Sequence, residues 1–377
     1  MYMLTDNNLF IRLISIFAFA CVIAFALTPM SISLAHKIGA VDVPLDKRRM
    51  HKRPIPRFGG IAIFLATTFS IMVLDGNFPK IQIAMIGGAF MYLLGAIDDL
   101  MNLKPLVKAS GQVVIACFVY TMGIRIEFIN TIFTGGKYNF GEGLSLVITI
   151  LWIVGITNAV NLIDGLDGLA AGVTCIIALS LAYIAYIHGS IFGSVSVMLA
   201  LAALAGACVG FLPYNFSPAR TFMGDGGALF LGYMIAAFSV ISPLKRATFV
   251  AAIVPIAALA IPIFDTLFAI VRRKVKGIPI LEGDKGHLHH RLMRAGFGQR
   301  RSVLIIYGIV GIMGMVSVQI SRELYKDAFF LSLIAILYLG VILVEKKPKN
   351  KHQVRSKPEP QEDYYDVIKA PKNSKGE

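Results

Sequence analysis

The sequence predicts an all-α integral membrane protein, a polytopic bundle of about 11 transmembrane helices with a small hairpin on its outer face. Three observations predict it. The chain of 377 residues is 56% hydrophobic before its 35 glycines are counted, whereas an ordinary soluble domain is roughly 45–50% apolar with glycine included. Apolar runs of about 17–25 residues, the length a helix needs to cross hydrocarbon, recur from Phe10 onward with short polar breaks. Lysine and arginine gather in alternate breaks.

The spans fall near residues 9–30, 59–75, 81–97, 106–123, 144–160, 168–187, 191–212, 226–242, 247–269, 303–320 and 327–345. The first follows MYMLTDNN, which has neither a basic n-region nor a small-residue cleavage site, so it reads as a retained helix and not a signal peptide. Between the fourth and fifth spans, residues 124–140 (IRIEFINTIFTGGKYNF) alternate apolar and polar around Gly135 and Gly136, the pattern of a hairpin. An odd number of spans separates the termini. With the N-terminus outside, the inner segments 31–58, 98–108, 213–224, 270–302 and 346–377 hold 28 of the 36 Lys and Arg. That asymmetry is the positive-inside bias, and it places the C-terminus in the cytoplasm.

The net charge of +14 is therefore a topology signal that sets basic loops beside anionic lipid head groups. It calls for the bilayer as a partner and for no nucleic acid. Cys21, Cys117, Cys175 and Cys208 lie within apolar runs without metal-ligand spacing, and packing is their expected role. Residues 1–345 form one multi-pass membrane domain. Residues 346–377 lose the apolar periodicity, become rich in Lys, Pro and Glu, and read as a disordered basic cytoplasmic tail.

Charged groups in or beside a bilayer are costly, which makes them functional candidates. Asp98 and Asp99 (GAIDDL) close the third span, where the helix macrodipole disfavours negative charge. Lys104, Lys108 or a divalent ion would compensate them; a solvated loop end is the plainer reading. Asn158, Asn161, Asp164 and Asp167 (NAVNLIDGLDGLAAG) recur at three-residue spacing before the sixth span. One of them suffices as an N-cap, and four could gather oxygens for Mg²⁺. Asp225 (FMGDGG) starts the eighth span among Gly224, Gly226 and Gly227, where capping competes with phosphate binding at a helix N-terminus. The loop GHLHHRL carries His287, His289, His290 and Arg291, with Arg294 beyond. Zinc ranks below diphosphate there, because no thiol accompanies the imidazoles. The first inner loop, HKRPIPRFGG, is punctuated by Pro54, Pro56, Gly59 and Gly60 and presents Arg57 or His51. Asp265 reads as a structural partner of Arg272 or Arg273. All these loops share one membrane face, as a single active site requires.

In order, HKRPIPRFGG, GAIDDL, NAVNLIDGLDGLAAG, FMGDGG and GHLHHRL resemble the motifs of the polyprenyl-phosphate N-acetylhexosamine-1-phosphate transferases, over about residues 42–301. The resemblance implies a bundle of ten or eleven helices in a bacterial plasma membrane, a cytoplasmic active site, and dependence on Mg²⁺ or Mn²⁺. It makes Asn161 and Asp225 the metal ligands and Asp98 and Asp99 the paired acids at the acceptor phosphate. Asp164 and Asp167 become acids near the nucleotide or metal. Lys108, Asn158, Arg57, His287, His289, His290 and Arg291 form the substrate-binding set.

The HxHH loop is similar to that of the branch using UDP-GlcNAc as donor and undecaprenyl phosphate as acceptor. The implied reaction gives undecaprenyl-diphospho-GlcNAc and UMP, the first step of a surface glycan such as teichoic acid or O-antigen. The peptidoglycan branch, which transfers phospho-MurNAc-pentapeptide, usually carries a TPTMGG-like segment where this chain has IPRFGG. A secondary transporter of an anionic solute is the alternative from another class, disfavoured because its charges would sit near the midplane. A homodimer and the pathway served stay open at this level.

Overall fold

A computed structural model describes residues 6–43, 53–73, 78–130, 137–187, 192–241 and 297–344. The described chain runs α1 (Asp6–Ile38), β1 (Val41–Asp42), β2 (Ile55–Pro56), α2 (Gly60–Met72), α3 (Pro79–Met101) and α4 (Pro105–Thr121). It continues through β3 (Phe128–Asn130), β4 (Lys137–Asn139), α5 (Glu142–Ile163), α6 (Leu169–Ile187), α7 (Phe192–Asn215) and α8 (Gly224–Ile241). The last two helices are α9 (Gln299–Ser321) and α10 (Tyr325–Val344). The span expected at 247–269, the histidine loop and the tail lie outside the described residues.

Among the described residues, 7 helices are long and apolar enough to cross a membrane, and α2 and α4 are shorter apolar helices. The chain is thus an all-α, multi-pass membrane protein. A helix stands at each of the other ten predicted spans, and the number eleven itself rests on the sequence. Helix ends differ most at α1, which runs on to Ile38 instead of stopping near residue 30. Within that extension and just before it, Ser31 and Thr28 donate their hydroxyls to the carbonyls of Thr28 and Ala24 at 2.7 and 2.6 Å, so these polar side chains are satisfied locally.

The centre of the bundle is α7 and α8. From Gly224 to Ser239 every residue of α8 is buried except Asp225. Helix α8 packs against α3 and α5, while α7 packs against α1, α6 and α2, and α9 joins α6 to α10. Apolar side chains of α1, such as Phe10, Val22 and Met30, are exposed, as a lipid-facing helix requires. The predicted hairpin is present as β3 and β4, antiparallel with Ile129 opposite Tyr138. It joins α4 to α5 at the end of the bundle opposite to Lys108 and Asn161.

Two short connections bring distant motifs together. After α3, Asn102 takes a left-handed conformation (φ 50°), which Asn tolerates at a helix end. Pro105 then opens α4, a position where its missing N–H costs nothing. The first inner loop is anchored by the β1–β2 pair and laced to the segment before α8. Phe222 donates its N–H to the Pro56 carbonyl (2.8 Å), and Gly59 and Gly60 donate to the carbonyls of Phe222 and Met223, each at 2.9 Å. The PRFGG and FMGDGG motifs are thereby one structural unit.

Candidate active site

The charged residues meet at one end of the bundle, around the ammonium of Lys108. Its Nζ lies 2.9 Å from Asp98 Oδ2 and 2.9 Å from Asp225 Oδ2, and donates to Asn161 Oδ1 at 3.5 Å. Asn161 in turn donates from Nδ2 to Asp225 Oδ1 at 2.7 Å. Four helices contribute: the last turn of α3, the first turns of α4 and α8, and the last turn of α5. Asp98 and Lys108 each sit at the helix end their charge disfavours, and each compensates the other. Lys104, the other cation the sequence offered, is exposed at the N-cap of α4.

The adjacent acids are used differently. Asp98 faces Lys108 and also accepts the Leu103 N–H on Oδ1 (2.7 Å), which closes the turn into α4. Asp99 points to the start of α8, accepting the N–H groups of Asp225 and Gly226, each at 3.0 Å. The two neighbouring carboxylates thus have different backbone partners, the Leu103 N–H for Asp98 and the Asp225 and Gly226 N–H groups for Asp99. Successive helical residues are about 100° apart, which turns one acid toward α4 and the other toward α8. Arg57 lies beside Asp99, with Nε 3.6 Å from its Oδ1 and Nη2 donating to its backbone carbonyl at 3.0 Å. Asp42 is 3.9 Å from the same guanidinium.

Asp164 follows α5, half-buried. Desolvation, and then the negative charges of Asp225, Asp99 and Asp167, push its carboxyl well above the ordinary carboxylate range. Asp167 accepts the Ala219 N–H at 3.1 Å, tying this loop to the α7–α8 connection. Asn158 lies one turn before Asn161 and is held in a reciprocal amide pair. Its Nδ2 donates to Gln112 Oε1 at 2.5 Å, and Gln112 Nε2 donates back to its Oδ1 at 3.3 Å. Among the described residues, then, Asp98, Lys108, Asn161 and Asp225 converge, with Asp99, Arg57 and Asp164 adjoining them. Asn158 and Asp167 are tied to neighbouring elements. His51, Asp265, Arg272, Arg273, His287, His289, His290, Arg291 and Arg294 lie outside the described residues.

Two residues not singled out from the sequence hold the site's frame. Asn215, 2% exposed, accepts the Gly168 N–H at 3.1 Å and donates to the Thr221 carbonyl at 3.0 Å, joining the loops before α6 and α8. Gln112, fully buried, secures Asn158. Each is a polar group in or at the end of an apolar run, and that was the signal available.

The donor set suits a hard divalent cation. Asp98, Asp225 and the amide oxygen of Asn161 converge within 3.5 Å of one positive centre. No three His, Cys, Asp or Glu form a ready cage among the described residues. Mg²⁺ does not need one, since it commonly keeps waters and binds through one or two carboxylates and substrate phosphates.

A multi-pass helical membrane protein with acids and a lysine gathered at one end of its bundle is the class these observations define. The chain belongs to glycosyl transferase family 4, whose sequence profile matches residues 81–243. Over 334 residues it is 38% identical to the probable undecaprenyl-phosphate N-acetylglucosaminyl 1-phosphate transferase of Bacillus subtilis, covering 88% of this chain and 91% of that one. It is 34% identical over 348 residues to the decaprenyl-phosphate N-acetylglucosaminephosphotransferase of Mycobacterium tuberculosis H37Rv, covering 85% of each chain. With the undecaprenyl-phosphate alpha-N-acetylglucosaminyl 1-phosphate transferase of Escherichia coli K12 it shares 25% identity over 300 residues, 78% of this chain and 79% of that one.

Proposed function

We propose that this protein transfers GlcNAc-1-phosphate from UDP-GlcNAc to undecaprenyl phosphate at the cytoplasmic face of a bacterial plasma membrane, the first step of a surface glycan. The names of its relatives support the sugar and the lipid. The observation that carries the reading is the meeting of Asp98, Asn161 and Asp225 on Lys108 at one end of the bundle.

In the reaction an acceptor phosphate oxygen attacks the sugar-linked phosphorus of the donor, the bond from that phosphorus to the bridging oxygen breaks, and UMP departs. Both reactants are anions, so the first requirement is to suppress their repulsion. Lys108 is placed to turn from the carboxylates toward phosphate oxygens, and the basic inner loops raise the local anion concentration. A phosphate monoester has its second pKa near 6, so much of the acceptor is already dianionic at neutral pH and attack can proceed directly. Asp98, Asn161 and Asp225 would hold Mg²⁺, with Asp164 beside them. The ion would neutralise charge on the transferred phosphoryl group.

The test is UMP release by purified protein with undecaprenyl phosphate, Mg²⁺ and either UDP-GlcNAc or UDP-MurNAc-pentapeptide, with Asp225→Ala as control. Lipid- and metal-dependent UMP from UDP-GlcNAc, lost in Asp225→Ala, is the expected result. Turnover with the MurNAc donor alone would move the protein to the peptidoglycan branch. A folded protein that releases UMP from neither donor would overturn the transferase reading.

A further inference from the structure

We infer that Asp99 and Arg57 are positioning residues that clamp the end of α3 to the start of α8 and thereby aim Asp225. This rests on the transferase reading, and it replaces the roles that the resemblance implied for both residues. The Asp99 side chain is 4% exposed, against 34% for Asp225. Its two oxygens are spent on two backbone donors, Oδ1 on the Asp225 N–H and Oδ2 on the Gly226 N–H. These are among the N–H groups that a helix start leaves without internal partners, and a carboxylate there also meets the positive end of the macrodipole.

Arg57 does the complementary work on α3. It donates to the Asp99 carbonyl, within the last turn of α3, where a cation is favoured, and it balances the Asp99 carboxylate at 3.6 Å. The two helix ends are thus joined through one ion pair. Gly224 (φ +71°) is shaped to this arrangement, because a Cβ there would collide with Asp99 Oδ2 and the Arg57 carbonyl oxygen. Since Asp99 grips the backbone of Asp225 itself, its removal reaches the reacting phosphates only through the Asp225 carboxylate and that carboxylate's contacts with Lys108 and Asn161.

The experiment is Asp99→Asn, which keeps size but supplies one acceptor where the carboxylate supplied two. A fall in kcat of about 10- to 100-fold, the usual effect of losing a group that orients a ligand, is expected with KM for both substrates unchanged. Asp99→Asn combined with Asp225→Asn is expected to be no slower than Asp225→Asn alone, because the two act as one unit. Losses that multiply, or a KM for undecaprenyl phosphate that rises while kcat holds, would overturn the inference by placing Asp99 on the substrate. Should Asp99→Asn fail to fold, Arg57→Gln carries the test: the same kcat-selective loss is expected, partly restored in Arg57→Lys, and a wild-type kcat in Arg57→Gln overturns the clamp. Hydrogen exchange separates the clamp from the activity. Asp99→Asn, or Arg57→Gln in its place, should speed exchange at Asp225 and Gly226 with the rest of α8 unchanged, even if wild-type protein releases no UMP, and unchanged exchange there would sink it.

Discussion

At the residue scale the decisive group is Lys108, whose ammonium lies between Asp98 and Asp225 at 2.9 Å from each. We predict that Lys108→Met lowers the rate of UMP release by at least about 100-fold, the scale seen when one aimed donor is removed from a transition state. Lys108→Arg should not rescue it, because a planar fork does not replace a compact ammonium at a point where three oxygens meet. Retention of more than a tenth of the activity in Lys108→Met would remove Lys108 from the reaction. The need for a cation beside Asp98 was legible, since two carboxylates at a helix C-terminus demand one. Which lysine answers was not, because Lys104 and Lys108 are similarly near in sequence. The choice is made by the turn at Asn102 and the restart at Pro105, which leave Lys104 exposed and bring Lys108 inward.

Between elements, the site depends on how closely α3 meets α8 and how firmly α4 meets α5. A Cβ on Gly95 would strike the backbone carbonyl of Asp225, and backbone cannot step aside as a flexible side chain can. Gly95→Ala is therefore expected to destabilise the bundle by about 1–3 kcal/mol, as overpacking does, and to lower kcat by moving Asp225. Thermal unfolding in detergent and UMP release would check the two effects. For α4 and α5, Asn158→Ala leaves the fully buried Gln112 without its partner, a loss of about 1–3 kcal/mol. Asn158→Leu with Gln112→Leu should recover much of it, because two apolar groups leave nothing unsatisfied. An unchanged KM for UDP-GlcNAc in the double variant would place Asn158 in the frame, whereas a raised KM would return it to the substrate site. The helices themselves were legible from length and hydropathy. Their pairing was not, because lipid is as apolar as a side chain: α1 and α7 read alike, yet α1 faces lipid and α7 fills the centre.

Across the whole molecule, the bundle has two chemically different ends. One carries Lys108, Asp98, Asp225 and the loops laced around them, and the other carries the β3–β4 hairpin. The distribution of Lys and Arg argues that the Lys108 end faces the cytoplasm, since basic loops are retained on that side during insertion. A nucleotide-sugar donor imposes the same orientation, because it would have to meet the acids there. The orientation is open to direct measurement with a membrane-impermeant maleimide. Cys175 and Cys208 are buried, and Cys21 and Cys117 lie within apolar helices, so the natural thiols should give little background. Lys104 and Tyr138 are both exposed, at opposite ends. Tyr138→Cys is expected to label in right-side-out vesicles and Lys104→Cys only in inverted ones. The reverse pattern would turn the acids away from any cytoplasmic donor. The positive-inside reading and the proposed reaction would then fail together, although the helix bundle and the Lys108 cluster would stand.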